Sequence, residues 1–175
     1  MAREVGVVSR EVLLAGDGLS FLRGMIEGRH PAPPFADAMD FDFVEVEAGS
    51  VVFVGKPSPR FFNPLGTVHG GWTATILDSA MACAAHSTLK AGEGYTTLEM
   101  KINYVRPVMP DSGIVRCEGR LIHRGGTVAT SEGRLVDERG RLLAHGTETC
   151  LIFPARQRAE ASPERAQPSG SSTAG

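Results

Sequence analysis

Apolar and polar positions change period several times along the chain, and each change marks an element. Leu19, Leu22, Met25 and Ile26 fall at helical spacing, and Gly28 and Pro31 close that stretch. PPFADAM has room for one short turn. FDFVEVEAGSVVFVGKPS alternates in two short runs about Gly49 and Ser50, which predicts a hairpin. The loop PRFFNPLGTVHGG follows, with two prolines and three glycines. From about Gly71 to Leu89, residues such as Trp72, Ile76, Leu77, Ala80, Met81 and Ala84 occupy nearly every side of a helix. A helix apolar all round belongs in the middle of a fold, and its alanines let neighbours approach closely.

Period two then takes over. YTTLEMKINYVRP sets Thr96, Leu98, Met100, Ile102 and Tyr104 against Thr97, Glu99, Lys101 and Asn103. SGIVRCEGRLIH sets Val115, Cys117, Gly119 and Leu121 against Arg116, Glu118 and Arg120. GTVATSEGRLVD and RLLAHGTETCLIF follow, with breaks at MPDSG, HRGG and DERG. Four such strands joined by short turns predict an antiparallel meander. With the buried helix they predict an α+β layout, a curled sheet wrapped around one long central helix.

Between Arg60 and Lys90 the one formally charged residue is Asp78, inside the apolar helix. A carboxylate there is costly unless something uses it. Little else in the composition points to chemistry. Net charge is −2, which gives no electrostatic case for nucleic acid or an anionic membrane. No apolar run is long enough to span a bilayer, and the first residues lack a signal core. Cys83, Cys117 and Cys150 are dispersed and odd in number, which predicts reduced thiols in a cytoplasmic protein and no metal site. Zinc-ligand spacing, a nucleophile elbow and a nucleotide-type glycine loop are all missing from the sequence. Three segments are expected: a helical start (1–34), the main domain (35–153) and a disordered tail rich in Pro, Ser, Ala and Gly (154–175).

GTVHGG leads into the helix. First-turn N–H groups have no helical partner, and the helix dipole adds positive potential there. Gly70 and Gly71 let a substrate approach those donors, or they merely shape a tight loop. Asp78 lies eight residues past Gly70, roughly 12 Å along the axis. One reacting carbonyl cannot touch both. Cooperation therefore requires two chains, with helices antiparallel across a two-fold axis. Asp78 is otherwise a structural hydrogen-bonding residue. Asn63 either orients a carbonyl or water, or serves as a turn residue before Pro64. His69 is either a general base or a brace for the loop and helix cap. His86, near the helix end, is assigned no catalytic role.

NPLGTVHGGWTATILDSAMACAAHSTL, followed by GYTTLEMKINYVRPV and GRLIHRGGTVATSEGRL, resembles the PaaI-like, phenylacetate-pathway type of hotdog-fold acyl-CoA thioesterases. The likeness runs over about residues 35–153. Its most specific mark is HGG with an acidic residue seven positions after the second glycine. The resemblance implies hydrolysis of an acyl-CoA thioester, aryl, phenylacetyl or medium-chain. Gly70 N–H would polarise the carbonyl, and Asp78 of a partner subunit would act as nucleophile or general base. Asn63 and His69 would hold the matching loop positions. Family members commonly carry a hydroxyl one turn past the acid, where this chain has Ala82; Ser79 or a partner residue would substitute.

By the same resemblance the HRGG turn lies near coenzyme A, making Arg124, Gly125, Gly126 and Thr127 binding candidates, with Lys101 and Arg106 behind them. Gly71, Thr96, Thr97 and Leu98 would shape the substrate site. CoA would be part of the substrate, no separate cofactor is implied, and a homodimer or homotetramer is expected. Two other readings remain: an acyl-CoA-binding module without turnover, and a hotdog hydratase or dehydratase, which would want a His paired with an acid.

Overall fold

The computed structural model describes residues 4–155. The expected disordered tail lies almost wholly outside them. Three short helices open the chain: α1 (Arg10–Ala15), α2 (Gly18–Ile26) and α3 (Pro34–Ala38). Asp17 caps α2 by accepting from Ser20 N–H at 2.8 Å, and α2 buries Leu22 and Met25. The hairpin β1 (Phe41–Glu47) and β2 (Ser50–Gly55) turns at Ala48 and Gly49, with Gly49 at φ +77°. The central helix α4 (Gly70–His86) follows, then β3 (Glu93–Tyr104), β4 (Val115–Arg124), β5 (Val128–Val136) and β6 (Leu142–Pro154).

The six strands form one antiparallel sheet in the order β1-β2-β4-β5-β6-β3. The expected four-strand meander is therefore only three strands long, β4-β5-β6. β3 pairs with β6, from Glu93↔Pro154 to Tyr104↔Ala144, and forms the far edge. The segment between β3 and β4 is a crossover, not a hairpin. Val108 within it is buried, and its carbonyl accepts from Val68 N–H at 3.0 Å. The crossover is thus tied to the loop before α4. Alternation in β3 is also interrupted. Thr97 pairs with Cys150 and Glu99 with Thr149, so Leu98 bulges out and is exposed. Thr96 and Leu98 consequently do not share an inward face with Met100 and Ile102, which pack on the core.

What lets α4 lie on the sheet is a row of glycines. Gly119, Gly133 and Gly146 stand in register on β4, β5 and β6. A Cβ on Gly119 would fall 2.1 Å from the Ala80 carbonyl oxygen, and one on Gly133 would fall 2.8 Å from Met81 Cγ. Met81, Leu77, Ile76 and Ala80 have no exposure against this row. Each large side chain so buried contributes about 1.5–3 kcal/mol. Trp72 fixes the other end of α4, its indole N–H donating to the Met39 carbonyl at 2.7 Å.

The helix is not buried on all sides. Ala74, Thr75, Asp78, Ser79 and Cys83 form a half-buried stripe at helical spacing that the sheet leaves open.

Replacing Gly119 with Ala drives a methyl into helix backbone, which cannot swing aside. The expected loss is about 3 kcal/mol, at the upper end for overpacking, read as a lower urea midpoint. Gly126→Ala, where a Cβ meets nothing within 4 Å, is the control and is expected to leave the midpoint nearly unchanged.

Candidate active site

Asp78 is on the open stripe of α4 and lines a pocket of about 200 Å³. Phe41 and Phe43 of β1, Phe53 of β2 and Tyr95 of β3 make its apolar walls, and Met25, Pro33 and Phe35 close it from the N-terminal segment. Phe43 and Phe53 stack with centroids 4.8 Å apart. The lining on α4 is Asp78, Ser79, Ala82 and Cys83. Burial raises the Asp78 carboxyl above its usual range, because water no longer solvates the charge. Burial also pushes the Cys83 thiol up to about 12. At neutral pH that sulfur is a thiol, and Asp78 is the one carboxyl among the pocket's described lining residues. No histidine is among the pocket's described lining residues.

Gly70 opens onto a different groove of about 270 Å³, shared with Thr73, Tyr104, Val105 and Arg106. His69 is the N-cap of α4. Its Nδ1 accepts from Gly71 N–H at 2.9 Å, so one first-turn donor is already taken and His69 caps the helix. Gly70 N–H, at the first helical position, has no such partner among the described residues. The Tyr104 hydroxyl donates to the Gly70 carbonyl at 3.1 Å. Asn63 organises the loop. Its Oδ1 accepts from Leu65 N–H and Thr67 N–H, and its Nδ2 donates to Thr67 Oγ1 at 2.8 Å.

The structure thus gathers Gly70, Gly71, His69 and Asn63 at one end of α4 and leaves Asp78 in another pocket. Within one chain they do not form a single site. The turn from Arg124 to Thr127 lines neither pocket. Arg124 is paired with Glu93 at 2.7 Å and also donates to the Gly125 carbonyl. Arg106, by contrast, lies in the Gly70 groove. Thr96 is exposed, and the Thr97 hydroxyl donates to Glu148 Oε1 at 2.7 Å. The phenylalanine walls and the N-terminal closure were absent from the sequence-based site. The inward alternation of Phe41, Phe43 and Phe53 was their one signal. Cys83, Cys117 and Cys150 are all free, and no helix among the described residues is long and apolar enough to cross a membrane.

A sheet curled around one helix, with a carboxylate in an apolar pocket and a glycine-rich helix start, defines a hotdog-fold enzyme. The thioesterase superfamily model matches residues 65–144. Human acyl-coenzyme A thioesterase 13 is 30% identical over 107 residues, 61% of this chain and 75% of that protein. A putative thioesterase from Ralstonia eutropha, described as phenylacetic acid degradation-related, matches at TM-score 0.69 and 31% identity over 75% of this chain and 98% of its own. A mutant form of the phenylacetic acid degradation protein PaaI from Thermus thermophilus matches at TM-score 0.61 and 27% identity over 67% and 97%. The chain belongs to the thioesterase superfamily and is a thioester hydrolase of PaaI-like hotdog type.

The raised Asp78 carboxyl has a consequence for stability. The folded protein holds that proton more tightly than the unfolded chain does. Its contribution is therefore complete below the unfolded pKa and is lost as pH rises through the folded one. Asp78→Asn is expected to be more stable than wild type at neutral pH. The gap should close as pH falls below the ordinary carboxylate range, as read by denaturation at several pH values.

Proposed function

We propose that this protein hydrolyses an acyl-CoA thioester carrying a compact or single-ring acyl group, at sites completed by two copies of the chain. The observation that carries the reading is Asp78, a carboxyl of raised pKa in an apolar pocket, on the same helix as Gly70 N–H but about 12 Å from it. A thioester is electrophilic enough that one oxyanion donor and one carboxylate suffice. Gly70 N–H of one protomer polarises the carbonyl. Asp78 of the other attacks it or takes a proton from water.

Edge strand β3 supports the two-chain arrangement. Its Tyr95 end lines the Asp78 pocket, and its Tyr104 end lines the Gly70 groove. Two-fold antiparallel pairing of β3 with a second copy would exchange those ends. The Gly70 groove of each chain would then meet the Asp78 pocket of the other. The outer edge of β3 is free to pair, and Leu98 and Tyr104 on it are exposed.

Pocket size favours compact acyl groups. An apolar cavity of about 150 Å³ accepts one benzene, so about 200 Å³ bordered by three phenylalanines and a tyrosine suits one ring. Arg106 beside Gly70 offers a cation to the phosphates of coenzyme A.

Asp78→Ala is expected to lower kcat by about 10²–10⁴-fold in a free-thiol release assay. Gly70→Pro removes the N–H while keeping the helix, because proline is favoured at the first helical position and His69 already has extended ψ of 135°. It is expected to lose about 10²–10³-fold. Mixing these two inactive proteins creates heterodimers with one intact site and one doubly damaged site, so about half of a wild-type dimer's activity should return. No recovery, with heterodimers present, would rule out the shared site.

Phe35 stands half in solvent at the pocket mouth. Phe35→Ala is expected to shift relative kcat/KM by about tenfold towards longer acyl groups across a CoA-thioester panel.

A further inference from the structure

Apart from Asp78, the fold fully buries a carboxyl that the reaction above does not use. Glu148 of β6 is 1% exposed. Its Oε1 accepts from Thr97 Oγ1 at 2.7 Å and faces Cys150 Sγ at 3.3 Å, while Oε2 has no partner among the described residues. Ser131 stands opposite it on β5, and its buried hydroxyl is likewise unpartnered. The ionisable groups acting on Glu148 and its neighbours are Asp78 and Cys83 of α4, Tyr95 and Glu99 of β3, and Cys150 of β6. None of these is a cation. His86, beyond Tyr95, is held neutral by burial. A buried carboxylate without a cation, and with one bare oxygen, is strongly disfavoured against the neutral acid.

We infer that Glu148 is a positioning residue for Asp78: a neutral acid bonded to Thr97, two residues along β3 from the Tyr95 that lines the Asp78 pocket, whose loss of a proton adds a second negative charge near that pocket and strengthens Asp78 as base or nucleophile. The sign follows from charge movement. With Glu148 ionised, the ground state holds one negative charge buried in the core and a like charge on the half-buried Asp78. As Asp78 attacks or takes a proton, its charge passes to the oxyanion at Gly70 N–H, and the repulsion is relieved. Burial, opposed by the Thr97 and Cys150 contacts, pushes Glu148 up to about 7, which sets the step inside the working range.

The inference rests on Asp78 as the reacting carboxylate, so one arm of its test reads Glu148 without turnover. In the activity arm, kcat/KM for thiol release is measured between about pH 5 and 9, with spontaneous hydrolysis subtracted. Wild type is expected to rise in a step centred near about 7. E148Q, which imitates the neutral acid, is expected to lose the step. Thr97→Val, which removes a donor to the charged form, is expected to move the midpoint up, and it serves even where E148Q fails to fold. A wild-type profile without the step, the same step in E148Q, or an unmoved midpoint in Thr97→Val overturns the inference. In the spectroscopic arm, infrared difference spectra should show a neutral carboxylic C=O band in wild type that disappears over the same pH range. Absence of that band below the midpoint overturns the protonation state whether or not the protein turns over a thioester. A titrating band with no thioester turnover would instead count against the proposed reaction alone.

Discussion

The close seat of α4 on the sheet is the constraint on which the rest depends. Helix and strands approach until the Ala80 carbonyl occupies the space above Gly119, and Met81 and Leu77 fill the space above Gly133. Side chains larger than hydrogen in that row would lift the helix away. The stripe carrying Asp78 would then no longer stand opposite the phenylalanines of β1 and β2. Packing therefore sets the depth at which the carboxyl sits, and that depth raises its pKa.

The same helix separates the two halves of the proposed chemistry. Its start offers the Gly70 amide donor, held in place by His69 on Gly71 N–H and by the Asn63-centred turn. Its middle offers a carboxylate with apolar walls. A rigid helix keeps these features about two turns apart, so one chain cannot bring them onto a single carbonyl. Strand β3 touches both regions and keeps an open edge. The symmetric partner of the proposed reaction would join them.

The N-terminal segment belongs to this arrangement too. α2 is clamped against the end of α4, where Gly18 N–H donates to the Leu89 carbonyl and Phe21 stacks between His30 and His86. That clamp holds Met25, Pro33 and Phe35 over the Asp78 pocket. A stretch that reads as a separate helical lead-in thus forms one wall of the site.

Several features were plain in the chain alone: the central helix, the glycine-rich loop before it, the hairpin, and Asp78 as the odd charge. Each is a local signal, a period or a single charge against an apolar background, and such signals survive without knowing the neighbours. The strand order was not plain. Alternation says which face of a strand is buried, but not which strand lies beside it, so a crossover tied to Val68 reads the same as a hairpin. The bulge at Leu98, the glycine row and the burial of Glu148 depend on register between distant strands. Glu148 left only one trace, a charge in the inward series of β6, because its solvation and partners come from β3, β5 and α4. The sequence by itself determined which elements form and which residues are chemically out of place. Tertiary structure alone decided which of them meet, because burial and contact are properties of pairs far apart in the chain.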